Sequence, residues 1–208
     1  IEKETGRANF SMGYNEVQGF TGGGGFEFIN FMGKGQMLAV NYSRGLQNQF
    51  QNQSSYSNGN TNYESFSISF REPRIFDTRN SIGFSISHSE QGQGASNILK
   101  YDTVSDRGSI MFGRQFNWPD YFFKGNWTLT IRNTRYKGSL SDLSEDFDDQ
   151  VIIAQNSYDG YASRSGVSIT QIISRDSRDR PEFTTTGSKF VWASTFSGNF
   201  LGGNENYH

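Results

Sequence analysis

The sequence predicts an all-β fold: an antiparallel transmembrane β-barrel, with about nine strands present and the rest of the barrel expected elsewhere. Three observations lead there. Apolar and polar residues alternate with a period of two in stretch after stretch, which throws successive side chains to opposite faces of a strand. The connections sort by length, tight ones near 31–35, 71–80, 117–123 and 175–186, long ones at 44–62, 90–102 and 137–161. Outer-membrane barrels have short periplasmic turns and longer extracellular loops, whereas a sandwich has no reason to sort them by end. The polar face is Ser, Thr, Gly, Asn and Arg, which suits a wet lumen, and aromatics gather near the turns as in interfacial girdles. A soluble Gly/Asn-rich sandwich, such as a lectin or adhesin domain, is the alternative that alternation alone leaves open.

Composition narrows the function classes. Aromatic residues at 15% with 24 glycines argue against disorder. No apolar run approaches the ~20 residues of a membrane helix, which leaves a strand-built membrane protein open. The absence of cysteine removes a disulfide scaffold and any thiolate metal site. A net charge of −2 without a basic cluster argues against nucleic acid as a partner. The chain starts at Ile1, without Met or a signal peptide, and is expected to be a mature or excised piece, one domain portion over residues 1–208.

The organising stretch is residues 6–14, where Ala8, Phe10, Met12 and Tyr14 alternate with Arg7, Asn9, Ser11 and Gly13. Its flank, residues 1–4, is charged, so this first strand is expected to be an edge with unpaired backbone groups. A second strand over 19–31 contains Gly22-Gly23-Gly24-Gly25, which weakens it or lets another backbone approach closely. Neither the dinucleotide-binding nor the Walker pattern matches these glycines. A third strand, 36–43, places Leu38, Val40 and Tyr42 on one face. The fourth, 63–70, sets Phe66, Ile68 and Phe70 against Ser65, Ser67 and Ser69. The fifth, 81–89, sets Ile82, Phe84 and Ile86 against Gly83, Ser85 and Ser87. Strands follow over 103–116 (Ile110, Phe112), 124–136 (Trp127, Leu129, Ile131), 162–174 and 187–200 (Phe190, Trp192, Phe196). Each of the three prolines, at 73, 119 and 181, falls in a turn. Phe10, Met12, Leu38, Val40, Phe66, Ile68, Ile82, Phe84, Ile86, Ile110, Phe112, Trp127, Leu129, Ile131, Phe190 and Trp192 are expected to face lipid, and Ser65, Ser67, Ser85, Thr128, Thr130, Arg132 and Lys189 the lumen.

Nothing in the chain points to an enzyme, a cofactor or a metal, and no catalytic residue is assigned. There is no Gly-x-Ser-x-Gly, and the one internal histidine, His88, stands among Ser87, Ser89 and Glu90 at a strand end. Asp142, Glu145, Asp146, Asp148 and Asp149 lack the spacing of a calcium loop and read as a solvated acidic loop. Nine antiparallel strands would leave the termini at opposite ends, so the chain is expected not to close on itself.

One connection is different in kind. Residues 174–190 alternate Arg and Asp, pass through Pro181, and enter an aromatic strand through Thr186-Gly187-Ser188-Lys189. This segment, with Arg175, Asp176, Arg178, Asp179, Pro181 and Gly187, resembles the arginine/aspartate-rich turn of the BamA family of outer-membrane assembly barrels. Thr184 stands where that family often has Pro, and Lys189 where it often has Arg. Lys3 to Tyr14 resembles the family's entry into its first barrel strand, and Asn30-Phe31-Met32-Gly33-Lys34-Gly35 its first periplasmic turn. The resemblance implies a bacterial outer-membrane protein that inserts nascent outer-membrane proteins, with the lipid bilayer and accessory assembly lipoproteins as further partners. It makes the first strand one side of a lateral gate, where a client strand pairs with the backbone of Asn9, Phe10, Ser11, Met12, Gly13 and Tyr14. It also implies a barrel of about sixteen strands, of which about nine are present, together with POTRA domains and an Arg-Gly-Phe motif, neither of which the sequence contains. The alternatives are a small passive pore or adhesin barrel, and a related two-partner-secretion or translocation barrel.

Overall fold

Ten strands form a single antiparallel sheet in the computed structural model, which describes residues 5–15, 19–46, 63–92, 100–147, 152–180 and 182–204. They are β1 (Gly6–Asn15), β2 (Gly19–Phe31), β3 (Gln36–Leu46), β4 (Tyr63–Glu72), β5 (Asn80–Gln91), β6 (Asp102–Gln115), β7 (Phe123–Ser139), β8 (Ile152–Ala154), β9 (Asp159–Asp176) and β10 (Lys189–Ser197). Each strand pairs with the next along the chain, except that β8 lies beside β9 and β7 passes directly to β9. The sheet is open. Among the described residues β1 pairs only with β2, and β10 only with β9.

The registers carry the period of two across the whole sheet. Leu38, Phe70, Phe84, Ile110, Leu129, Ile169 and Phe196 stand opposite one another in a continuous row. The next row on that face runs Val40, Ile68, Ile86, Gly108, Ile131, Val167. Between them, on the other face, lie Ala39, Ser69, Ser85, Ser109, Thr130, Ser168 and Ser197. Hydroxyls on this second face meet across strands, Ser43 with Ser65 at 2.8 Å and Ser109 with Thr130 at 3.1 Å. All the residues expected to face lipid share the first face, and all those expected in the lumen share the second. No second sheet covers the apolar face among the described residues, and most of its large side chains are exposed, as a bilayer requires and a sandwich forbids.

Among the described residues the buried hydrophobic ones are Leu143, Phe147 and Ala162, a small cluster backed by Tyr101, Tyr136 and Ile152. It sits at the loop end, and Leu143, Phe147 and Ile152 come from the stretch 137–161 expected to be a plain acidic loop. Instead β7 continues to Ser139, a short helix α1 (Leu140–Asp146) follows, and β8 adds three residues to the sheet. Ser139 caps α1, its hydroxyl accepting from the Asp142 backbone N–H at 3.2 Å. A helix of seven residues is too short to display a period, which is why alternation counting passes over it. The final strand is also shorter than expected: residues 187 and 188 belong to the preceding turn, and a 3-10 turn follows at Asn199–Leu201. Beyond it Gly203 bridges Gly166, and the Asn204 side chain bonds the Ser165 N–H and the Ser163 carbonyl. The outer edge of β9 is thus met in turn by β10, residues 203–204 and β8.

Candidate functional site

β1 is the edge that the alternation predicts. Its ladder to β2 is regular from Gly6↔Phe28 to Asn15↔Gly19, with no bulge. The charged flank, residues 1–4, lies outside the described residues. The Thr5 carbonyl accepts from the Ile29 N–H at 3.0 Å, so Thr5 turns its backbone toward β2. Backbone groups alternate sides along an antiparallel strand. Arg7, Asn9, Ser11 and Gly13 therefore bond toward β2, while Ala8, Phe10, Met12 and Tyr14 aim N–H and C=O at the open edge. The same four point their side chains to the apolar face, where Phe10 is 83% and Met12 79% exposed.

The glycine run of β2 lies opposite the middle of this edge. Asn9, Phe10, Ser11 and Met12 pair with Gly25, Gly24, Gly23 and Gly22. On the lumen face, the Asn9 and Asn41 amides occupy the space that a β-carbon on Gly25 would need. Cross-strand side-chain pairs contribute roughly 0.2–1 kcal/mol each, and four successive positions of β1 forgo theirs. The backbone ladder is left as the main tie between the two strands over this stretch.

The Arg/Asp turn is built as an interlocked unit. The Arg175 guanidinium meets Asp120 at 2.8 Å, Ser177 Oγ at 2.9 Å and Ser188 Oγ at 3.2 Å, beside the rings of Phe122 and Phe123. Arg178 forks onto the Asp176 carboxylate at 2.9 and 2.8 Å. The Asp179 carboxylate accepts from the Thr185 hydroxyl at 2.5 Å and from the N–H groups of Thr185 and Thr186 at 3.0 and 3.1 Å. These bonds hold its pKa down to about 2. Gly187 adopts a φ of 94°, and a β-carbon there would run into the Ser177 carbonyl. Only glycine fits. Pro181 lies outside the described residues. The motif therefore brings Arg175, Asp176, Arg178, Asp179 and Gly187 into one turn, far along the sheet from β1. Sequence reading missed Asp120, 55 residues before Arg175, because nothing local marks it as the partner.

His88 lies in β5, with Nδ1 2.6 Å from Asp106 and Nε2 3.4 Å from Glu90. In the acidic stretch, Glu145 and Asp146 meet Lys100 at 3.0 and 3.4 Å, while Asp148 and Asp149 lie outside the described residues.

The open single sheet of antiparallel strands in sequential order agrees with comparison to known proteins. Residues 30–208 match the Omp85 superfamily domain. The chain belongs to the Omp85 superfamily. Within it, 111 residues are 30% identical to the outer membrane protein assembly factor BamA of Neorickettsia risticii (strain Illinois), covering 53% of this chain and 13% of that protein. The crystal structure of BamA from Haemophilus ducreyi lacking POTRA domains 1–3 shares the fold, with a TM-score of 0.59 and 20% identity over 95% of this chain and 35% of that one. This Omp85 chain thus spans a minor part of both. Membership places it in the bacterial outer membrane, where barrels carry their turns on the periplasmic side and their longer loops outside.

Proposed function

We propose that this barrel segment serves outer-membrane protein assembly of the BamA kind, and that β1 is the side of a lateral gate with which an incoming client strand pairs. The observation that carries the reading is that, among the described residues, β1 is paired on one side only. Backbone groups left open in lipid cost several kcal/mol each, so the edge at Ala8, Phe10, Met12 and Tyr14 demands a partner. Main-chain pairing gives affinity without regard to sequence, as a template for many clients requires. The glycines opposite Asn9 to Met12 support the same reading, because a strand tied mainly by its ladder is easily parted from its neighbour. Nascent outer-membrane proteins are then the clients and accessory lipoproteins the further partners. The work is done by backbone groups and involves no catalytic side chain. The Arg/Asp turn acts as a rigid corner that sets the position of β10 against β9.

Proline substitution tests the gate, because proline removes one ladder donor. Phe10→Pro and Met12→Pro delete donors aimed at the open edge and leave the bonds to β2 intact. Ser11→Pro deletes one aimed at β2 and serves as the comparison. In the intact protein, Phe10→Pro is expected to insert normally yet lower the steady-state levels of other outer-membrane barrels. A well-inserted Phe10→Pro protein with normal levels of those barrels excludes the gate.

A further inference from the structure

The four turns at the periplasmic rim each carry a large apolar side chain into the open. Met32, Phe76, Trp118 and Phe183 are 63%, 94%, 83% and 78% exposed. They stand outside the strand rows, so the period of two that makes the lipid face does not explain them. Two of them sit on backbone that bulky residues avoid, Met32 at a φ of 55° and Phe76 at 51°. A left-handed conformation is costly for such residues and comes freely to glycine.

Charge at the same rim is biased. Residues 32–34, 71–79, 114–124 and 175–189 together hold ten Lys or Arg against six Asp or Glu. Among the described residues of the opposite end, 44–46, 63–64, 88–92, 100–107, 132–147 and 152–164, the count is seven against eight. Positive charge and aromatic surface are also joined locally. The Arg79 guanidinium lies 5.2 Å from the centre of the Tyr121 ring and bonds Asn117, linking the second turn to the third. The apolar face reaches this rim without a break through Ile82, Phe112 and Trp127, which pair in a row.

We infer that the periplasmic rim is seated in the headgroup layer of the inner leaflet, where it takes anionic phospholipids. Apolar tips beside guanidinium groups match that layer on both counts. The tips enter the acyl boundary, and the stems of Arg74 and Arg79 carry their charges to the phosphates. A protein partner would account for the tips but not for their continuity with the lipid face or for the surplus of positive charge. This inference goes beyond the gate and does not depend on it.

The sequence has no cysteine, so Phe76→Cys or Phe183→Cys in the intact protein, freed of any thiol elsewhere, offers a unique site for an environment-sensitive dye. Tyr158→Cys, at the opposite end and exposed, is the aqueous reference. The folded proteins, checked by heat-modifiable mobility, go into vesicles of phosphatidylethanolamine with or without one-third phosphatidylglycerol. Dyes at 76 and 183 should be quenched by lipids brominated near the headgroup and at least threefold less by iodide than at 158. Phosphatidylglycerol should deepen the lipid quenching at 76, and Arg74→Gln/Arg79→Gln should abolish that increment while the barrel stays folded. Iodide quenching at 76 and 183 as free as at 158 overturns the inference. Protection that appears only when a periplasmic protein is added also overturns it, assigning the rim to a protein. An increment unaffected by the double variant overturns the role of the arginines.

Discussion

The ring of Phe10 covers Gly24, its carbons 3.1 and 3.3 Å from where a β-carbon on that glycine would stand. A side chain from β1 thus fills space that β2 leaves vacant, and the two strands gain no interlocking pair there. Gly24→Val would supply the missing partner once the exposed Phe10 ring turns aside. β1–β2 pairing should tighten by roughly 0.2–1 kcal/mol, about 1.4- to 5-fold in hydrogen-exchange protection of the amides of Asn9 and Ser11. If β1 works by parting from β2, the same variant should slow assembly of other barrels. Unchanged protection at Asn9 and Ser11 refutes the argument from missing pairs.

The assignment of faces can be checked on neighbouring residues of β6. Ile110 lies in the apolar row and is exposed, whereas Ser109 lies in the hydroxyl row. Ile110→Arg should destabilise the barrel in bilayers by about 2–4 kcal/mol, the cost of a lipid-facing arginine near the midplane. Ser109→Arg should cost much less. Equal effects in urea titrations of the vesicle-embedded protein would show that the two faces are wrongly assigned.

Arg175 spans two turns through a planar fork, so charge alone should not replace it. Arg175→Lys keeps the charge but cannot reach Asp120 and both serine hydroxyls at once. A loss of about 1–3 kcal/mol is expected, in the range for hydrogen bonds to charged groups. The readout is the temperature at which heat-modifiable mobility is lost. A lysine variant as stable as the parent removes the fork from the account.

Asp179 makes the same turn sensitive to acid. Its folded pKa, about 2, lies below the ordinary carboxylate value, so the ionised form is the one the fold favours. Its stabilising contribution is therefore complete above about pH 4 and lost as pH falls toward 2. Exchange of the Thr185 and Thr186 amides should accelerate, relative to unfolded reference rates, across that window. Asp179→Asn should remove the acid-dependent part. A relative rate in the parent protein that is flat from pH 5 to pH 2 would contradict this.

Much of the sheet was legible because a barrel strand reports on itself. In the middle of β4, β5 and β7 apolar residues stand between Ser, Thr, Gly or Asn, so Phe66 or Leu129 declares its face without knowledge of its neighbours. The glycine run declared a weak or closely approached strand, and it lies against β1 as an edge would want. The candidate edge was legible through the same alternation. What alternation could not say was which backbone groups of β1 face outward. That parity rests on one contact, the Ile29 N–H to the Thr5 carbonyl.

By itself the sequence determined strand number to within one short strand, the two faces, the sorting of turns from loops and the position of the Arg/Asp corner. These are local properties, set by side-chain parity and turn chemistry within about ten residues. Tertiary structure alone decided what depends on distant segments meeting. Asp120 belongs to the corner because β7 and β9 lie side by side and bring it to Arg175. Leu143 and Phe147 become a core only because α1 folds back onto Tyr101 and Tyr136. Residues 203–204 and β8 occupy the outer edge of β9 because its backbone groups, left open beyond β10, gain more from a ladder partner than from remaining unpaired.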